Sequence, residues 1–427
     1  MKKQRLFVIL LSVVAAIFYG CEYDLLNQER GFKRLLKGAE EIEAVDFIIK
    51  PDNEGYLVLG NSKVNGNLNS SIILFNLSSD GLVESTTQIN TTFNDSGTKL
   101  YLTDNNRVLI LGQRDKLTDG SYSILLSTDI EANPVLVNDS AAIRELKYQD
   151  ESLSLHFKDL MLIGNDLVLS GFLTNASNNT NKITQVFDLN NVLNISEVAI
   201  PKNQIPVESA IEFDNSKSHN LLRQTGNDDI FIIGERFLGN IGNRSLNVSI
   251  DLIDNLNSGK PLTSPTLAAP GDQFLKASTL GNNEGEFFFG GISGSAINDP
   301  DSLFILSATY FKNATNDNAD IAIRDLNILT TYGNNLTDII QLSDGNVLVV
   351  TNEAGEIGSE EIMRSSSILK FSFFVAGNPA SELELVYNGN GNYDIKKIME
   401  ENNQLVVLST IAFGTGETAI EIAKIDF

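Results

Sequence analysis

The sequence predicts an all-β chain folded as one seven-bladed β-propeller, with an N-terminal strand completing the last blade and closing the ring. Three observations predict it. A short apolar strand ending in a small residue recurs seven times, its last residue falling at Gly60, Gly112, Gly171, Gly234, Gly290, Thr351 and Ser409. The intervals between these residues run from 52 to 63, a period that belongs to repeat architectures. The last copy lacks a fourth strand, while an unassigned apolar segment stands ahead of the first copy.

Each copy has the same neighbours. Upstream lies a strand A, at residues 45–50, 99–103, 157–163, 220–224, 274–279, 338–342 and 394–399. A polar turn such as Pro51-Asp52-Asn53-Glu54 or Ser343-Asp344-Gly345 joins it to the apolar strand B. Asn, Asp and Gly tolerate the positive φ that tight hairpin turns require. Downstream lies a strand C, at residues 71–77, 123–128, 183–189, 246–250, 303–309, 368–374 and 420–425. A weaker strand D follows in most copies, for example at residues 82–89. Strand B is apolar at almost every position because both faces of a middle strand are packed. A parallel β-helix is the rival fold, but its repeats are shorter and more regular.

The seventh copy stops at Phe427 without a strand D. Residues 31–38 (GFKRLLKG) stand where strand D stands in the other copies. Phe32, Leu35 and Leu36 are therefore expected to close the ring by pairing with the last copy, since an open ring would leave an edge strand unpaired and two blade faces wet. The alternative is a helical or disordered tether. If the closure holds, the chain enters on the face that carries the A–B turns. The B–C loops, including residues 61–70, 172–181, 235–243, 291–301 and 352–364, then emerge on the opposite face as the natural binding surface.

Residues 1–20 read as a signal peptide. Lys2, Lys3 and Arg5 precede an apolar stretch from Leu6 to Tyr19, too short to span a bilayer comfortably. Gly20 and Cys21 follow at once, and Cys21 is the chain's one cysteine. Phe18-Tyr19-Gly20-Cys21 resembles the bacterial lipobox, although Phe18 and Tyr19 stand where that motif has an aliphatic and a small residue. The resemblance implies a diacylated Cys21 at the mature N-terminus, carrying palmitate-type chains, with residues 21–30 as a tether and residues 31–427 as the propeller. An ordinary signal peptide followed by a chance cysteine is the alternative. Each acyl CH₂ buried in the bilayer contributes about 0.8 kcal/mol, so a multiply acylated cysteine holds stably.

The repeats themselves resemble the diverged propeller repeats of exported Bacteroidota proteins, of the form GYIVLG…DIYLIKLDSNG. Residues 55–60 (GYLVLG) with 71–81 (SIILFNLSSDG) match best. The resemblance covers all seven copies and implies an architecture. In proteins of this kind it also implies company: such lipoproteins often accompany outer-membrane transport or assembly complexes. Asp139-Ser140-Ala141 and Asp301-Ser302-Leu303 resemble the Asp-Ser/Thr-apolar sites at which exported Bacteroidota proteins are O-glycosylated, which marks Ser140 and Ser302.

The formal net charge is −24, so phosphate backbones repel the chain and nucleic acid is not an expected partner. The expected location is the outer membrane, at the cell surface, with the lipid overriding the charge. The two histidines, His156 and His219, precede strand A in different copies, and no nucleophile, zinc or dinucleotide motif stands in a fitting context. No catalytic residue and no cofactor are expected. Residues 298–301 and 316–320 are acidic loops whose oxygens could hold Ca²⁺, without the spacing of an EF-hand. Glu353, Glu356, Glu360 and Glu361 make an acidic B–C loop, and Gly414-Thr415-Gly416 lies in another. The leading expectation is a lipid-anchored, non-catalytic binding or scaffold subunit. A surface ligand- or glycan-binding accessory protein comes second, weakened by the absence of Trp. A channel-site hydrolase or lyase comes third, because the innermost strands show no convincing set of ionisable groups.

Overall fold

The computed structural model describes residues 31–38, 41–63, 70–89, 93–116, 120–137, 140–150, 152–194, 199–205, 215–223, 230–238, 245–253, 266–267, 273–296, 299–312, 319–329, 335–353, 365–371, 383–389, 393–413 and 417–427. The signal segment, Cys21 and the tether lie outside these residues, as do Glu356, Glu360, Glu361 and residues 414–416.

The chain is all-β and folds as a propeller. The first strand is β1 (Phe32–Leu36). Unit one is β2 (Glu41–Ile49), β3 (Tyr56–Lys63), β4 (Ser70–Leu77) and β5 (Val83–Ile89). Unit two has β6 (Asn94–Leu102), β7 (Arg107–Lys116) and β8 (Gly120–Asp129), a small hairpin of β9 (Leu136–Val137) and β10 (Ser140–Ala141), and then β11 (Ile143–Leu146). Unit three is β12 (Ser154–Ile163), β13 (Asp166–Thr174), β14 (Thr180–Asp188) and β15 (Asn203–Ile205), with a short helix at Leu189–Leu193. Unit four is β16 (Lys217–Arg223), β17 (Ile230–Leu238), β18 (Ser245–Ile253) and β19 (Thr266–Leu267). Unit five is β20 (Gln273–Leu280), β21 (Glu286–Ala296), β22 (Asp299–Lys312) and β23 (Ala319–Leu329). Unit six is β24 (Asn335–Gln341), β25 (Val347–Glu353), β26 (Ser365–Phe371) and β27 (Leu383–Gly389). The last unit is β28 (Tyr393–Glu401), β29 (Gln404–Ala412) and β30 (Thr418–Asp426), with β1 on the outer edge of β30.

Strands within a unit pair antiparallel, and among the described residues no sheet closes on itself. Units two and three are joined by a single parallel bridge, Tyr122 to Leu155. Among the described residues, the other units meet through side-chain packing and side-chain hydrogen bonds. The first strands touch in the order β2, β6, β12, β16, β20, β24, β28, and β28 returns to β2. Asn106, Gly164, Gly345, Asn402 and Asn403 supply positive φ at the A–B turns, where the composition called for them.

The core is divided rather than central. Alternate residues of each strand B enter different clusters. In β3, Tyr56 and Val58 pack toward the last unit, with Val406, Leu408 and Ile420. Leu57 and Leu59 pack toward unit two, with Leu100, Val108 and Ile110. The period of two in the strand thus places a continuous apolar run into two interfaces. Unit six repeats this: Val347 and Val349 pack on unit five, Leu348 and Val350 on the last unit.

β1 pairs with β30 through Phe32–Lys424, Lys33–Ala423, Arg34–Ile422, Leu35–Glu421 and Leu36–Ile420. Leu36 is buried, and the Phe32 ring meets Tyr56 of unit one edge-on at 5.6 Å. Leu35 pairs with Glu421 through its backbone, as its neighbours pair with β30. It lies one position off the inward face and its side chain is exposed, so it contributes backbone pairing and no packing. The junction also holds a buried polar set. Tyr56 donates to Glu401 Oε2 at 2.6 Å, and Lys424 Nζ lies 2.7 Å from the same oxygen. Burial and this carboxylate push the Tyr56 phenol well above its usual range.

Other expectations need adjustment. Asp299 and Asp301 open β22 instead of lying in a loop, and Asp320 lies in β23. Ser302 lies in β22 and Ser140 in the short strand β10. His156 and His219 lie inside β12 and β16, not ahead of them.

Candidate functional site

The innermost strands share one irregularity. Each has a register shift against its strand B, between Ala44 and Asp46, Gly97 and Lys99, Phe157 and Asp159, and Ser218 and Asn220 in the first four units. In the others it falls between Leu275 and Ala277, Leu336 and Asp338, and Ile395 and Lys397. This is a β-bulge, which breaks the alternation and re-aims side chains. It also explains the small residue that ends strand B. A Cβ on Gly171 would overlap the His156 carbonyl and lie 2.6 Å from Phe157 Cα. A Cβ on Gly112 would lie 2.5 Å from the Ser96 carbonyl oxygen.

The residue after the bulge forms a ring that is polar in every unit but the fifth. It is Asp46, Lys99, Asp159, Asn220, Ala277, Asp338 and Lys397 around the units. The three aspartates make one repeated contact. Asp46 accepts from Phe47 N at 2.9 Å and, in the next unit, from Leu100 N at 2.7 Å. Asp159 accepts from Leu160 N at 2.9 Å and Leu221 N at 2.8 Å. Asp338 accepts from Ile339 N at 2.9 Å and Ile398 N at 2.8 Å. Each carboxylate therefore accepts from backbone amides of two innermost strands and ties neighbouring units together.

Lysines complete the ring. Lys397 is ion-paired to Asp46 and donates to the Phe47 carbonyl at 3.1 Å. Lys99 Nζ lies 3.4 Å from Asp159 Oδ1. The carboxylates of Asp159, then Asp46 and Asp338, hold the Lys99 ammonium above the usual lysine range. A unit-two lysine that feels carboxylates of units one, three and six reaches toward the axis. Burial pushes Asp338 up to about 6, against the pull of the Ile398 amide and Lys397.

A second group lies nearer the B–C ends of β12, β16 and β20. His156 stacks on Phe172 with centroids 5.1 Å apart, and the Gln113 side-chain amide donates to its Nδ1 at 2.5 Å. Lys158 and Lys217 hold their ammonium groups 5.6 and 5.2 Å from the Phe172 centroid. Burial and Lys158 push His156 down to about 4, so the imidazole is neutral at pH 7. Lys158 and Lys276 are both lowered, first by burial. Glu235 lies 3.2 Å from His219 Nε2. Two different arrangements thus share the channel: an inner ring of satisfied carboxylates, and a cationic group beside one aromatic ring.

The structure brings together residues that the sequence reading passed over. The bulge shortened the apparent A strands and left His156 and His219 outside them. A signal was present, because an ionisable residue before an apolar pair recurs at Asp46, Lys99, Asp159, Asp338 and Lys397 on the same period as the strand-B ends. The side chains of Ser140, Ser302 and Glu353 are not among those described. Among the described residues, no three His, Cys, Asp or Glu side chains are grouped to hold a metal ion.

No protein-family model matches this chain, and no curated protein matches it in sequence. Solved structures do. Polysaccharide lyase Uly1 superposes with a TM-score of 0.50 at 11% identity, over 95% of this chain and 94% of that one. The β-propeller domain of the Trilobed protease from Pyrococcus furiosus gives 0.47 at 11% identity, over 91% and 94%. A protein of unknown function from Dyadobacter fermentans gives 0.45 at 11% identity, over 93% and 99%. Likeness at this identity concerns the fold. Activity is argued from the site.

Proposed function

We propose that the chain is a lipid-anchored, non-catalytic binding and scaffold propeller of the Bacteroidota type, a subunit of an outer-membrane or cell-surface protein complex. In this reading it has seven blades, β1 closes the ring, Cys21 carries the lipid, and Ser140 and Ser302 are the glycosylation positions. The observation that supports it is the place of β1. Phe32 pairs with Lys424 at the end of β30 that carries the A–B turns. A ten-residue tether reaches at most about 35 Å, so the A–B face rides near the membrane and the B–C ends face outward. The inner aspartates support a non-catalytic role, since their oxygens already hold backbone amides.

The test is affinity purification of the tagged full chain from its own membrane in mild detergent. A partner recovered in constant ratio is the expected result. Recovery of the chain alone at every detergent strength would sink the scaffold reading. Cys21→Ser should move the chain out of the membrane fraction, and its retention there would count against the anchor.

A second reading, a surface ligand-binding accessory protein, is favoured by the cationic group on units three to five. A solvent-facing cluster of lysines in a chain of net charge −24 is the feature that this reading explains and the scaffold reading does not.

A further inference from the structure

We propose that Lys158, Lys217 and Lys276, at the B–C end of the channel, form a binding site for a small anionic ligand presenting a carboxylate, sulfate or phosphate group. The inference rests on the ligand-binding reading and not on the lipid anchor or a protein partner.

The lysines come from three consecutive innermost strands, β12, β16 and β20. Lysines elsewhere in the channel are paired: Lys99 with Asp159, Lys396 with Glu43 and Asp394, Lys397 with Asp46. Among the described residues, Lys158, Lys217 and Lys276 make no ion pair, in a chain with 55 acidic and 31 basic side chains. Instead they act on one another, for the Lys217 charge disfavours the charged forms of both Lys158 and Lys276. Like charges held together cost stability, and a bound anion relieves that cost.

Among the described residues, two carboxylates act on the group. Glu235 lies at His219 and acts on Lys276, and Asp115 acts on His156 and accepts from Ser121. With His156 neutral, three lysines against these two carboxylates leave an excess positive charge.

The aromatic ring decides the ligand class. His156 stacks on Phe172, and two ammonium groups sit over the ring. Phe172 therefore positions lysines through cation–π contact and offers no free face for a neutral sugar. Lysine ammoniums act as point charges without a fixed fork, so the site selects for charge and not for one oxyanion geometry.

The test is calorimetric titration of the detergent-solubilised full chain at low salt with citrate, inorganic phosphate and glucuronate, and with glucose as the neutral counterpart of glucuronate. At least one anion should bind, its Kd should rise with added NaCl, and glucose should not bind. Lys217→Met should raise Kd at least tenfold, Lys217→Arg should restore most of the affinity, and Lys37→Met, at an exposed lysine outside the channel, should leave it unchanged. Thermal melting of each variant separates lost binding from lost folding. The inference is overturned if no anion binds at millimolar concentration, if glucose binds as glucuronate does, or if folded Lys217→Met binds like the parent chain. None of these results depends on co-purification, so this site and the scaffold reading fail separately.

Discussion

Asp159→Ala tests the structural role of the inner ring. The Asp159 side chain is buried, accepting from Leu160 N at 2.9 Å in its own strand and from Leu221 N at 2.8 Å in the next unit. Alanine removes both acceptors and leaves the two backbone donors without the carboxylate. Each orphaned buried donor costs about 1–3 kcal/mol, so two donors place the total loss at about 2–6 kcal/mol. Lys99 loses its nearest carboxylate, but 35% of its side chain is exposed, so water solvates it and adds little to the loss. The control is Asp344→Ala. Asp344 also accepts two bonds, both from Asn346, on a side chain half exposed to solvent, and its loss should cost less than about 1 kcal/mol. Equilibrium urea unfolding followed by far-UV circular dichroism measures both, with the midpoint falling and the slope unchanged. A loss below about 1 kcal/mol in Asp159→Ala, or one equal to that of Asp344→Ala, would refute the view that the aspartates tie the units together.

Three further predictions use other parts of the molecule. Gly171→Ala should destabilise by about 2–3 kcal/mol, since the new methyl group meets backbone atoms that no rotamer can move aside; unchanged thermal stability would contradict the bulge geometry. Leu36→Ala should cost about 2–4 kcal/mol and Leu35→Ala less than about 0.5 kcal/mol, because only Leu36 is buried at the junction of first and last units. Equal losses in denaturant would mean that β1 does not sit as described. The Asp338 carboxyl is raised to about 6 in the folded chain, so the folded state holds its proton longer than the unfolded state. Stability from this group is present below about pH 4 and is lost as pH rises to about 6. Asp338→Asn should therefore gain on the parent chain across that window, by at most about 3 kcal/mol, and a flat or reversed difference in unfolding midpoints against pH would reject the assignment.

Much of the architecture was legible because it is local and repeated. A strand apolar on both faces must be packed on both faces, and Tyr56 to Leu59 send alternate side chains into two interfaces as that pattern requires. Turn residues marked the A–B connections, and the missing strand D pointed to residues 31–38. Leu35 shows the limit of that reasoning. Three apolar residues in five suggest burial, but a period of two lets only one face of β1 look inward, and register decides which.

The channel was not legible for a related reason. A bulge adds one residue and reverses the alternation beyond it, so Lys158, His219 and Lys276 read as ends or interruptions of strands. Lysines 59 positions apart in sequence carry no sign that they will meet. By itself the sequence determined the strand class, the repeat and the place of the first strand, because each follows from hydrophobic period and chain order. Only the tertiary structure decided that Asp46, Asp159 and Asp338 hold neighbouring strands while, among the described residues, Lys158, Lys217 and Lys276 make no ion pair. That distinction depends on distances across units, which no local pattern encodes.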